Sequence, residues 1–196
     1  MPGDSFCIQY TNCTGCPKNV ENILVYRNLP KGEHIPKDKC TQNCMLFMIK
    51  GELLINSEEY PGNTLREKQF ILQAIGSKVE LLALTDVECL VYWFTELTFL
   101  CEERYKEILE IAHAPLTYTP LTVIPKLGRL LDDLTEYFKE QPNTCGKYLD
   151  IKCQEIIYIL TCYYPIQQIC TFFYPISTYT ESIHYFVMQN NSHVKN

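Results

Sequence analysis

The sequence predicts an α+β fold: an antiparallel β-barrel at the front, then a helical region containing an antiparallel helical hairpin. Three observations carry this. Short apolar runs rich in β-branched and aromatic residues alternate with turn signals from about residue 22 to residue 95. Beyond Thr95 the apolar spacing changes to i, i+3, i+4, i+7, the repeat of one helical face. No apolar run approaches the roughly 20 residues that span a bilayer, and the densest, Ile156 to Leu160, is closed by Thr161 and Pro165.

The elements follow in order. Residues 1 to 21 hold Phe6-Cys7-Ile8 and then Asn12-Cys13-Thr14-Gly15-Cys16-Pro17, which is turn chemistry. Ile23 to Tyr26, Met45 to Ile49, Leu53 to Ile55, Phe70 to Leu72, Val79 to Leu84 and Val87 to Phe94 read as strands. Pro30-Lys31-Gly32, Lys50-Gly51, Asn56-Ser57, Tyr60-Pro61-Gly62-Asn63, Gly76-Ser77 and Thr85-Asp86 separate them. Cys101, Tyr105, Ile108 and Ala112 then share one helical stripe. Pro125 opens a second helix, where its missing N–H costs nothing. Its apolar face is Leu127, Leu130, Leu131, Leu134 and Phe138, and the chain breaks at Pro142-Asn143-Thr144-Cys145-Gly146. Cys153, Ile156, Ile157, Leu160 and Tyr164 mark the helix that returns as the second arm of the hairpin. A short helix over Pro165 to Tyr174 follows, and Thr178-Tyr179-Thr180-Glu181 reads as a capping box for a last one carrying Ile183, Phe186 and Val187.

Composition bounds the function. Hydrophobic residues make up 46 % and charged residues 20 % of 196, enough apolar material for a real core, so disorder is excluded as the main theme. The net charge of -6 is the wrong sign for a domain gripping a phosphate backbone. The start Met1-Pro2-Gly3-Asp4-Ser5 has no basic segment and no long apolar one, so a cytoplasmic location is expected. Eleven cysteines, odd in number and widely scattered, fit reduced and partly buried thiols better than a disulfide framework.

Lys31-Gly32-Glu33-His34-Ile35-Pro36, followed by Met45-Leu46-Phe47-Met48-Ile49-Lys50-Gly51-Glu52-Leu53, resembles the first hairpin of a cupin-type barrel: a strand near a histidine, an apolar returning strand and a tight glycine turn. The fold expected is therefore a cupin-like jelly-roll barrel over 1–95. Catalytic cupins carry a His-x-His pair, a glutamate and a later histidine as metal ligands. Here Pro36 stands two past His34, and Phe70 to Thr95 holds no histidine, so the chain is expected not to be an enzyme and to need no cofactor, a metal-dependent cupin enzyme being the lesser alternative. A barrel still needs its interior filled by side chains or by a ligand. Tyr26, His34, Phe47 and Trp93 are the candidate lining of a ligand pocket; the alternative is that the aromatics are core and His34 caps a turn.

Strands, a helical hairpin and a capped terminal helix together resemble AraC-family transcription regulators. Pro30-Lys31-Gly32-Glu33-His34-Ile35-Pro36, Phe70-Ile71-Leu72-Gln73-Ala74-Ile75-Gly76, Tyr163-Tyr164-Pro165 and Phe172-Phe173-Tyr174-Pro175-Ile176 look like the sensor halves of such regulators from Bacteroides-type bacteria. The resemblance implies a barrel that binds a small-molecule effector, a helical dimerisation region over 96–176, and a linker with the first helix of a DNA-binding domain over 177–196. DNA would be read by helix-turn-helix units missing from the chain. It also implies a homodimer, with Leu127, Leu130, Leu131, Leu134, Ile156 and Leu160 as the candidate interface; the alternative is that both helices pack on the barrel.

Cys13-x-x-Cys16 and Cys40-x-x-x-Cys44 offer a further alternative, a zinc-stapled interaction module in which the two thiol pairs share one structural zinc. The spacing of the second pair is unusual for compact zinc knuckles, and unligated thiols remain the competing reading. His113, His184 and His193 have no Ser or Cys motif to serve, and Asp132-Asp133 and Glu102-Glu103 read as solvated helix faces.

Overall fold

The computed structural model describes residues 23–95, 118–140 and 145–176. The helical stripe from Cys101 to Ala112, the capped helix after Thr178, and Cys13 and Cys16 lie outside the described residues.

Nine strands and three helices are described. The strands are β1 (Ile23–Leu29), β2 (His34–Lys39), β3 (Asn43–Lys50), β4 (Glu52–Asn56), β5 (Asn63–Arg66), β6 (Gln69–Gln73), β7 (Lys78–Ala83), β8 (Val87–Phe94) and β9 (Leu121–Thr122). Helices α1 (Pro125–Glu140) and α2 (Gly146–Tyr163) form the predicted hairpin, and residues 166–176 form α3. The strands make two antiparallel sheets, one of five in the order β1-β8-β3-β6-β9 and one of four in the order β2-β7-β4-β5. Consecutive strands largely alternate between the sheets, which closes them face to face into a jelly roll.

The period of two decides which side chain goes where. Val25, Leu46, Ile71 and Val91 of the five-stranded sheet point inward and meet Leu53, Ile55, Leu65, Leu81 and Ala83 of the four-stranded sheet. Their neighbours Leu24, Met45, Leu72 and Tyr92 point out of the barrel, and here the helices sit. Leu127, Leu130, Leu131 and Leu134 of α1 join them, as do Cys153, Ile156 and Leu160 of α2 and Ile169, Phe172 and Phe173 of α3. Phe70 is the hub: its ring lies 5.2 Å from Phe47, 5.8 Å from Tyr164 and 5.1 Å from Phe172. The Tyr164 hydroxyl accepts from the Ile124 N–H (3.1 Å) and donates to the Thr122 carbonyl (2.8 Å), pinning the end of α2 to the link between β9 and α1.

This is a correction to the expected dimer surface. All six apolar residues assigned to it are buried within one chain, at 4 % exposure or less, because the hairpin uses its apolar stripe to cover the sheet. β5 and β9 lie outside the predicted strands. β5 carries one buried residue, Leu65, and β9 has only two residues, so neither has an apolar run to announce it.

Candidate functional site

Cross-strand register arranges the inward side chains of the five-stranded sheet in rows. The middle row, Val25-Val91-Leu46 with Ile71 beside Leu46, is buried and apolar. The rows either side each carry a polar side chain, Arg27 in one and Gln73 in the other. Toward one end, Arg27 pairs with Cys89, and Cys89 with Met48. At the other end, Trp93 pairs with Cys44 and Cys44 with Gln73.

The Trp93-Cys44-Gln73 row is closed over by polar loops. Gln73 is only 4 % exposed; its amide nitrogen donates to the Ser57 hydroxyl at 3.1 Å. The same hydroxyl accepts from the Tyr60 N–H at 3.0 Å, which closes the 57–60 turn. Ser77 donates to one carboxylate oxygen of Glu59. Cys40 enters from the loop before β3, where its N–H bonds to the Ser77 carbonyl at 2.8 Å and its own carbonyl accepts from Gly76. The Tyr118 ring lies 6.0 Å from Tyr60 and partly covers this end. Two buried oxygens, Gln73 Oε1 and Glu59 Oε2, have no hydrogen-bond donor.

Burial sets the electrostatics. It pushes the Cys40 thiol up to about 11, with Glu59 and Asp38 adding to the effect, and raises Cys44 well above its ordinary value, with Cys40 and Cys89 nearby. Tyr118 is pushed up to about 12 by burial first, then by Tyr174 and Glu59. These thiols are protonated at neutral pH, so they act as small apolar side chains rather than nucleophiles.

The sequence-predicted pocket residues divide. Trp93 stands in the row just described. Phe47 is fully buried on the outer face, against Phe70, and Tyr26 packs on that same helix-covered side with its hydroxyl 2.5 Å from Glu88. His34 is on the solvent side of the four-stranded sheet, 2.9 Å from Glu80. Four residues split between opposite faces cannot line one cavity, and this corrects the expected lining: alternation in β1 and β3 turns Tyr26 and Phe47 away from the interior. The donor set of metal cupins is likewise not assembled, since His34 faces outward and, among the described residues, no three His, Cys, Asp or Glu gather to hold an ion. Arg27, Gln73, Ser57 and Glu59 were missed. For Arg27 the signal was available: it sits two past Val25 on the inward phase of β1.

No protein family matches the sequence, and no curated protein does. Solved structures do. An RmlC-like cupin from Methanocaldococcus jannaschii, with a double-stranded β-helix fold, is 20 % identical over 39 % of this chain and 72 % of its own, with a TM-score of 0.37. In this chain the two antiparallel sheets close into the jelly roll described above. Other chains similar to it include the DMSP lyase DddQ from Ruegeria pomeroyi (18 % identity, 40 % of this chain and 41 % of that, TM-score 0.37). Another is oxalate decarboxylase from Bacillus subtilis (15 %, 38 % and 21 %, 0.35). The chain spans less than half the length of either enzyme. Chains similar to this one thus include enzymes, which corrects the expectation that it is not one; missing histidines in one stretch of sequence do not exclude catalysis. Identities this low say nothing about substrate.

Proposed function

We propose that this chain is the effector-binding and dimerising part of a cytoplasmic AraC-type transcription regulator, of the kind found in Bacteroides-type bacteria. In that reading a small molecule binds in the cupin barrel, the helical region pairs two copies, and DNA is contacted by helix-turn-helix units outside these 196 residues. Binding that favours one arrangement of the pair shifts the equilibrium between arrangements.

The observation that carries the reading is the outer face of α2. With Leu149, Cys153, Ile156 and Leu160 turned to the barrel, the opposite side leaves Ile151 53 % and Tyr158 57 % exposed, with Cys162 also exposed and Tyr163 beside them at 48 %. Ile151, Tyr158 and Cys162 fall at i, i+7 and i+11, one solvent-facing stripe. An isologous contact must be self-complementary. A second copy running antiparallel, centred between Gln154 and Glu155, sets Ile151 against Tyr158 of that copy and repeats the contact in reverse.

Sedimentation velocity over a dilution series tests it. The wild-type chain is expected to sediment as a dimer at micromolar concentration, and Tyr158→Glu to weaken the dimer by about tenfold or more without unfolding it. A chain that is monomeric throughout contradicts the proposal.

A further inference from the structure

We propose that the polar end of the barrel is a recognition site for a small primary ammonium ligand, held by Glu59 and Gln73. The inference rests on reading the barrel as a sensor and adds the chemistry of what it senses. Every group left without a partner there is an acceptor: Gln73 Oε1, on a side chain only 4 % exposed and pointing inward from β6, and Glu59 Oε2. A buried acceptor without a donor is costly, more so on a carboxylate, and the group that relieves both is a donor-rich cation. Their remaining polar atoms are committed, Gln73 Nε2 to Ser57 and Glu59 Oε1 to Ser77, so both side chains are held in place from behind. The rings around them, Tyr60, Tyr118 and Trp93, suit the stem and charge of an alkylammonium, whose positive head an aromatic face attracts. An anion finds no complementary group among these residues. Both oxygens are shut from solvent, so entry requires the 57–60 turn or Tyr118 to move aside.

Trp93 is the single tryptophan of the chain and stands in the site's own row, so its emission reports on this end of the barrel. The 196-residue protein is titrated with ethylammonium chloride, with sodium chloride and the neutral isostere ethanol in parallel. A saturable change with ethylammonium alone is expected, with the dissociation constant raised about tenfold or more in Glu59→Gln and in Gln73→Met. Melting curves of both variants are run alongside, with a folded transition expected for each. No saturable change with ethylammonium, or the same affinity in Glu59→Gln, overturns the inference. Saturation by ethanol in a protein that still dimerises also overturns it while leaving the regulator reading intact. Saturation by ethylammonium in a chain that sediments only as a monomer supports it and removes that reading.

Discussion

The five-stranded sheet is buried on both faces, whereas the four-stranded sheet is buried on one. In β3, Met45, Leu46, Phe47 and Met48 are buried in succession, as are Cys89, Leu90, Val91 and Tyr92 in β8, because odd and even positions each meet a core. In β2 only Ile35 is even half-buried, and in β5 only Leu65 is buried. A sheet with two covered faces can hold a barrel on one side and carry a helical layer on the other. The four-stranded sheet closes the barrel and turns His34, Glu80 and Asn56 to solvent.

Substitutions can sharpen this contrast, and the largest effect belongs to the helix-covered face. Phe70→Ala removes a ring that joins the sheet to both Tyr164 and Phe172, and is expected to cost about 3–5 kcal/mol in urea unfolding. An equal loss from a substitution on the solvent face of the other sheet would break the contrast. Gly51→Ala comes next. Gly51 sits at φ 90° in the β3–β4 turn, and an added Cβ would collide with the Asp86 carbonyl oxygen. About 2–4 kcal/mol is expected, from left-handed strain together with displacement of the turn before β8.

A smaller effect comes from the ion pair fastening α1 to the barrel. Glu88 accepts from Lys139 at 2.7 Å and from Tyr26 at 2.5 Å. The Lys139 hydrogen bond, then that of Tyr26, holds the Glu88 carboxyl below its usual range, while Glu88 raises Lys139. A depressed carboxylate stabilises the fold above its unfolded value and loses that contribution as pH falls through the lower folded value. A raised lysine keeps its contribution below its unfolded value and loses it as pH rises past the folded one. Wild type and Glu88→Gln should therefore differ by up to about 1 kcal/mol near neutrality and converge at acid pH below the ordinary carboxylate range. Thermal unfolding across pH 2 to 8 checks this, and a difference that grows toward acid has the wrong sign. Smallest of all, His34→Ala removes an exposed contact with Glu80 and should change stability by less than about 0.5 kcal/mol.

The same contrast explains what could be read in advance. β3, β6 and β8 were legible because two-sided burial leaves uninterrupted apolar runs, and α1 and α2 because their stripes are regular. β5 hid behind Asn63, its first residue, which reads as the end of the Tyr60-Pro61-Gly62-Asn63 turn, and β9 joins the sheet edge through Leu121 and Thr122 only. The site was harder. Trp93 was found as a large aromatic residue in a strand, but which face it occupied depended on phase, and the same reasoning placed Tyr26 and Phe47 on the wrong side of the sheet. Gln73 and Glu59 matter because their oxygens lack donors, a property of packed loops that no spacing records. The leucine stripe of α1 announced burial correctly and could not say whether the covering surface was its own barrel or another chain.

The central claim is that the helices are joined to the barrel by a core on the outer face of the five-stranded sheet, back to back with the barrel's interior core, so that both unfold together. The most direct test follows urea unfolding by Trp93 emission, which reports the barrel, and by the far-ultraviolet helical signal, to which α1, α2 and α3 contribute. Coincident transitions with one midpoint are predicted. Loss of the helical signal at lower urea, while Trp93 keeps its native emission, would show that the helices are a separable layer and contradict the account.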